Sequence, residues 1–327
     1  MTKTRGWLLG ILTVGTAAIL VHTEAYAQHN RRFPERVIFF SARDGHPNNQ
    51  IYVMDTNGNR QTRVTFDTAS DVDPDISPDG QEIVFTSNET QTGNNNIFIR
   101  DRWGRVRNLT NDSANDEWAR WSPDGEHIVF DSNRNGGVYE IFVMNADGTG
   151  TPTQLTNPPT LSRYPSWSPD GRQIVFRRGI DIYEIDADGT GTPVQLTKEV
   201  APSFAQMPVW SPDGRYIAFM SFREGYCSVF RMTAEGNDQV NLTPKDLADP
   251  ANRWCSRTPA WSTHGRKIFF MSFRPSTAGL NQLFVMNVDG TDIRQLTETG
   301  TNGSPRARQR SERDRDFDRE HDDDSTP

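Results

Sequence analysis

Positive charge is in short supply. The chain has 43 acidic side chains against 35 basic ones, a net charge of −8. No cationic excess is left to neutralise a phosphate backbone, which argues against nucleic acid as a partner. Apolar residues are also scarce: they make up 34% of the 327 residues, and mean hydropathy is −0.71. That composition argues against repeated membrane spans and long helical bundles. The six histidines include no His-x-His or His-x₃-His pair of metal-ligand spacing. No Gly-x-Ser-x-Gly nucleophile elbow occurs. What the chain has instead is turn formers and aromatic anchors: 25 Gly, 20 Pro and eight Trp. This mixture points to an all-β protein.

The first 27 residues are set apart from the rest. Lys3 and Arg5 precede a nearly unbroken apolar run from Trp7 to Val21, and Ala25-Tyr26-Ala27 supplies the small residues a signal peptidase reads. The run is shorter than the ~20 residues that span a bilayer. Residues 1–27 are therefore expected to be a signal peptide cleaved before Gln28, with an uncleaved anchor as the alternative. Residues 28–35 form a short lead. The mature protein is expected to be periplasmic or secreted.

Internal repeats dominate the remainder. Ser-Pro-Asp-Gly recurs at 77–80, 122–125, 168–171 and 211–214, and a degraded copy, Ser262-Thr263-His264-Gly265, follows. Ile76, Trp121, Trp167, Trp210 and Trp261 stand before these strings, and short apolar runs such as Ile128-Val129-Phe130 stand after them. In a second register, runs such as Ile51-Tyr52-Val53-Met54 and Leu283-Phe284-Val285-Met286 lead into glycine turns. Each then closes on Val64-Thr65, Leu109-Thr110, Leu155-Thr156, Leu196-Thr197, Leu242-Thr243 or Leu296-Thr297. Pro-Asp-Gly and Asp-Gly favour tight turns between antiparallel strands. Six copies of a four-strand unit, repeating every forty to fifty residues, read as a six-bladed β-propeller over residues 36–309. The first unit lacks its first strand, and residues around 303–309 sit where one is expected. The C-terminal strand is thus expected to close the ring and remove an open sheet edge.

Trp-Ser-Pro-Asp-Gly, Phe219-Met220-Ser221, Ile-Phe-Val-Met-Asn-x-Asp-Gly and the Leu-Thr close resemble the β-propeller repeat of the TolB family. The resemblance implies a WD-repeat-like propeller that binds protein, with an envelope protein as the expected partner. TolB itself carries a mixed α/β domain ahead of its propeller. Here the first blade is expected about eight residues beyond the cleavage point, leaving no room for that domain.

Topology sorts the loops onto two faces. Turns between strands 1–2 and 3–4 share one face; the longer 2–3 and inter-blade loops share the other, where binding is expected. On that second face, Arg43, Arg134, Arg223 and Arg274 follow the second strand of four blades. Trp118, Tyr164, Phe204 and Trp254 are placed in inter-blade loops. Arginine and aromatic side chains are the commonest interface anchors, and pairing of the arginines with neighbouring acids is the alternative. The recurring Trp121, Trp167, Trp210 and Trp261 read as core. Cys227 and Cys255 fall in neighbouring connections of the same face. A disulfide closing the ~28-residue loop, worth about 3 kcal/mol, is expected over two free thiols.

Catalysis is not favoured. His127 and His264 fall near the turn face and His46 stands alone. Asp73, Asp116 and Glu117 approach the channel, where a carboxylate pair could in principle serve glycoside chemistry. No catalytic residue, metal or cofactor is assigned. The expected function is a monomeric, non-catalytic, protein-binding propeller; the alternative is a propeller that binds or cleaves saccharide. Residues 310–327, rich in both charges and poor in apolar side chains, are expected to form a disordered tail.

Overall fold

A computed structural model describes residues 35–89, 93–244, 255–273 and 280–309. The expected signal peptide, the lead up to Pro34 and the charged tail lie outside the described residues. Twenty-four strands and no helix are found among those described, so no helix there is long and apolar enough to cross a membrane. They form six four-stranded antiparallel sheets.

Blade one runs β24 (Thr301–Gln309), β1 (Glu35–Ala42), β2 (Gln50–Asp55) and β3 (Thr62–Arg63), from the innermost strand outward. Blade two is β4 (Asp71–Ile76) to β7 (Val106–Asn108), and blade three is β8 (Asp116–Trp121) to β11 (Thr153–Gln154). Blade four is β12 (Ser162–Trp167) to β15 (Val194–Gln195), blade five β16 (Ala205–Trp210) to β19 (Val240–Asn241), and blade six β20 (Cys255–Trp261) to β23 (Arg294–Gln295). The innermost strands touch in cyclic order around the ring. β24 pairs with β1 from Glu35 opposite Gln309 to Ala42 opposite Thr301. The C-terminal strand therefore closes the ring, as the missing first strand of blade one requires.

The repeat residues explain themselves locally. In each Ser-Pro-Asp-Gly turn the serine hydroxyl donates to the aspartate, as from Ser77 to Asp79 at 2.6 Å. The same serine oxygen accepts the backbone N–H that opens the second strand, as from His127 at 2.9 Å. The closing threonine acts likewise. Its Oγ1 accepts the N–H at the head of the third strand in all six blades, at 2.9–3.1 Å. The fourth strand ends just before the closing pair, at Arg63 in blade one. The pair itself anchors that strand instead of belonging to it.

Each blade carries a cross-strand aromatic pair on its two central strands. Phe130 and Phe142 are directly opposite, with ring centroids 5.9 Å apart, and equivalent pairs recur in the other five. Six apolar clusters lie between successive blades, each built from both neighbours. Trp121, Trp210 and Trp261 are buried there, because blades meeting face to face need a large side chain at the end of the inner strand.

Candidate binding site at the channel

Every innermost strand is bulged at the same place. The ladder slips between Val72 and Asp75, Glu117 and Arg120, Arg163 and Ser166, Gln206 and Val209, and Arg257 and Ala260; β1 and β24 slip at the matching point. The bulge residue in all six blades has a left-handed backbone: Asp73, Trp118, Tyr164, Met207, Thr258 and Ser304, with φ between 44° and 60°. None is glycine, and five precede proline, where this conformation is further disfavoured. Six equivalent strained residues on the strands that ring the channel mark a built feature, since such strain clusters at ligand sites.

This geometry corrects two placements. Trp118 and Tyr164 lie within β8 and β12, not in inter-blade loops, and Phe204 immediately precedes β16. The inner strands begin earlier than the turn residues suggested. Trp118 and Tyr164 come together, ring centroids 4.8 Å apart and perpendicular. Arg163 sits at the loop end of β12 and Arg257 at that of β20, joined by Arg177 from the end of β13 (Gln173–Arg178). The Arg163 guanidinium lies 4.1 Å from the Tyr139 ring centroid and pairs with Glu117 and with Asp131. Arg177 donates to Gln206 at 2.6 Å and lies over Phe204, which stacks on Phe222 at 5.6 Å. Arg257 keeps a buried Nε with no hydrogen-bond partner. Burial lowers the pKa of both Arg177 and Arg257. Burial also pushes the Asp131 carboxyl up to about 7 against the pull of Arg163.

Three of the four sequence-selected arginines have another role. Arg134 Nε donates to Ser132 at 2.9 Å, one amino group reaches the buried Asp116 at 2.8 Å, and the guanidinium covers Phe130 and Phe142 at 5.1 and 5.0 Å. Arg223 repeats this with Ser221, Glu199 and the Phe219–Phe230 pair. Arg43 repeats it with Ser41, Asn302 and the Phe39–Tyr52 pair. Ser-x-Arg is thus an intramolecular clamp that caps the aromatic pair of its blade, the pairing alternative foreseen for these residues. In blade two the position is Ser87-Asn88-Glu89, and the buried Asp71 has no arginine. Trp254 and Arg274 lie outside the described residues.

Cys227 and Cys255 are joined, with Cα atoms 4.4 Å apart. The channel carboxylates are engaged: Asp73 accepts from Ser304, Asp116 from Arg134, and Glu117 from Arg163. Asp124, Glu126 and His127 approach one another on the turn face, where Asp124 already accepts from Ser122 and from the Glu126 backbone. That cluster is turn chemistry. Arg163, Arg177 and Arg257 were not selected from sequence. The signal for two of them was the recurring x-x-Pro at the bulge, as in Arg163-Tyr164-Pro165 and Arg257-Thr258-Pro259.

By architecture the protein is a ring-closed, six-bladed β-propeller whose inner strands present aromatic and arginine side chains to a central channel. Its repeats are TolB-like: residues 165–310 match the family model of the TolB beta propeller domain. TolB from Acinetobacter baumannii superposes with a TM-score of 0.68 at 23% identity, covering 84% of this chain and 67% of that one. A putative TolB from Agrobacterium tumefaciens gives 0.63 at 20%, covering 85% and 99%. An oligogalacturonate lyase from Vibrio parahaemolyticus gives 0.53 at 12%, covering 77% and 72%. At these identities the likeness is one of fold. No curated protein matches the sequence significantly.

Proposed function

We propose that the protein is an exported, non-catalytic scaffold that captures a protein partner at the loop-side mouth of its channel. The observation that carries this reading is the Trp118–Tyr164 pair, held on strained backbone beside Arg163, Arg177 and the incompletely bonded Arg257. Rigid aromatics and arginines with donors to spare are what interface hot spots are made of. Asp73, Asp116 and Glu117 are each held by a neighbouring hydroxyl or guanidinium group. Arg43, Arg134 and Arg223 support the blades around the mouth, and Phe204 extends its aromatic surface.

The test is a crosslinking pull-down from the exported fraction with mass spectrometry, comparing the wild-type protein with a Tyr164→Ala/Arg257→Ala variant. A defined protein crosslinked near the mouth, and lost in the variant while its melting temperature stays within a few degrees, is the expected result. Undiminished capture by the variant places the interface elsewhere. Recovery of glycan alone favours the saccharide reading, to be followed by a lyase and hydrolase screen with added metals.

A further inference from the structure

Past the left-handed ring, toward the Ser-Pro turns, the channel holds a cavity of about 300 Å³. Each inner strand contributes the residue two positions beyond its bulge: Asp75, Arg120, Ser166, Val209, Ala260 and Arg306. Charge in the lining is therefore two guanidinium groups against one carboxylate. Trp121 and Trp210 also line the cavity, and their buried indole N–H groups have no partner. Trp167 and Trp261, by contrast, donate to the carbonyls of Arg120 and Val209.

Among the described residues neither arginine makes an ion pair, although Asp75 and Asp73 lie close enough to act on both. Arg306 donates to the neighbouring Pro305 carbonyl at 2.7 Å. Arg120 donates to the carbonyls of Asp73 and Ala119 at 3.2 and 2.6 Å. The nearby carboxylates are bonded elsewhere: Asp75 accepts the Trp121 backbone N–H at 3.0 Å and Asp73 the Ser304 hydroxyl. A buried Arg120 and a partly buried Arg306, whose hydrogen bonds go to neutral carbonyls, carry a desolvation cost. Burial, with Arg120 beside it, drives the Arg306 pKa down to about 9 against the pull of Asp75 and Asp73.

We propose that this cavity is a binding site for a small oxyanion, a carboxylate or phosphate group, held between the guanidinium groups of Arg306 and Arg120. A planar guanidinium offers paired N–H donors that match either anion, and the volume is at the lower end of small-ligand cavities. Arg306 stands on β24, the closing strand, and Arg120 on β8. An occupant therefore ties the C-terminal strand to blade three and stabilises the closed ring by mass action.

The test titrates the full-chain protein with sodium phosphate and with sodium succinate at constant ionic strength, using chloride as control, and reads tryptophan fluorescence and melting temperature. A saturable fluorescence change with either anion, accompanied by a higher melting temperature, is expected; the anion that saturates first identifies the preferred chemistry. Arg306→Gln should abolish saturation. Arg306→Lys keeps the charge, loses the paired donors and guards against a folding defect in the first variant; it should bind about tenfold more weakly. Responses that rise linearly and match chloride would overturn the proposal, as would wild-type affinity in Arg306→Lys.

Discussion

Gly303 makes ring closure testable at one atom pair. It stands opposite Phe40 in the β24–β1 ladder, and a Cβ added there would meet the Phe40 ring, with Cε1 at 2.8 Å and Cε2 at 3.1 Å. The matching positions of the other blades carry full side chains. Gln206 faces Met220 and Arg257 faces Met271, so glycine is required in blade one only because Phe40 fills the space. Gly303→Ala should force the ring off its rotamer at about 1–3 kcal/mol. Phe40→Met, which imitates blades five and six, should cost under ~1.5 kcal/mol by itself. Combined, the two should cost at least ~1 kcal/mol less than their sum, because the methionine vacates the space the new methyl group needs. Guanidinium denaturation followed by tryptophan fluorescence measures all four corners of the cycle, and thermal melts should move by roughly 2–4 °C per kcal/mol. Costs that add to within ~0.5 kcal/mol would refute the argument. So would a Gly303→Ala protein as stable as the wild type.

Three further predictions concern blade two and the disulfide. Asp71 is fully buried, and burial raises its pKa to about 7. The folded protein therefore holds a proton that the unfolded chain releases between about pH 4 and pH 7. Its contribution to stability is greatest below about pH 4 and declines as the pH climbs to about 7, by up to ~4 kcal/mol as an upper bound. Asp71→Asn should flatten that decline in denaturation midpoints taken from pH 4 to 8. Glu89→Arg, which restores Ser-x-Arg, should raise stability at pH 8 by about 1–3 kcal/mol; an unchanged midpoint would show that the clamp does not transfer between blades. Replacing Cys227 and Cys255 by serine opens a loop of sequence separation 28. The expected loss is about 3–4 kcal/mol by the chain-entropy argument, measured as a drop in denaturation midpoint relative to the oxidised wild type.

The sequence alone determined the repeat, the blade count and the strand that closes the ring, because each rests on local chemistry. A serine that binds the aspartate two residues on leaves its mark in four copies, and a threonine that caps the strand before it leaves one in all six. The arginine clamps were only half legible. Ser-x-Arg is visible as a pattern, but its partners Asp116, Glu199 and Asn302 come from other strands and loops, and without them the arginines read as free anchors. Trp118 and Tyr164 were recognised as functional candidates and misplaced, because the inner strands begin at Asp116 and Ser162 and run on through a left-handed bulge that interrupts their ladder. The channel itself was decided by tertiary structure. Arg120 and Arg306 stand far apart in sequence and become neighbours only when β24 completes blade one. A closed ring brings six equivalent positions to one axis, and no property of a single repeat reveals which side chains meet there.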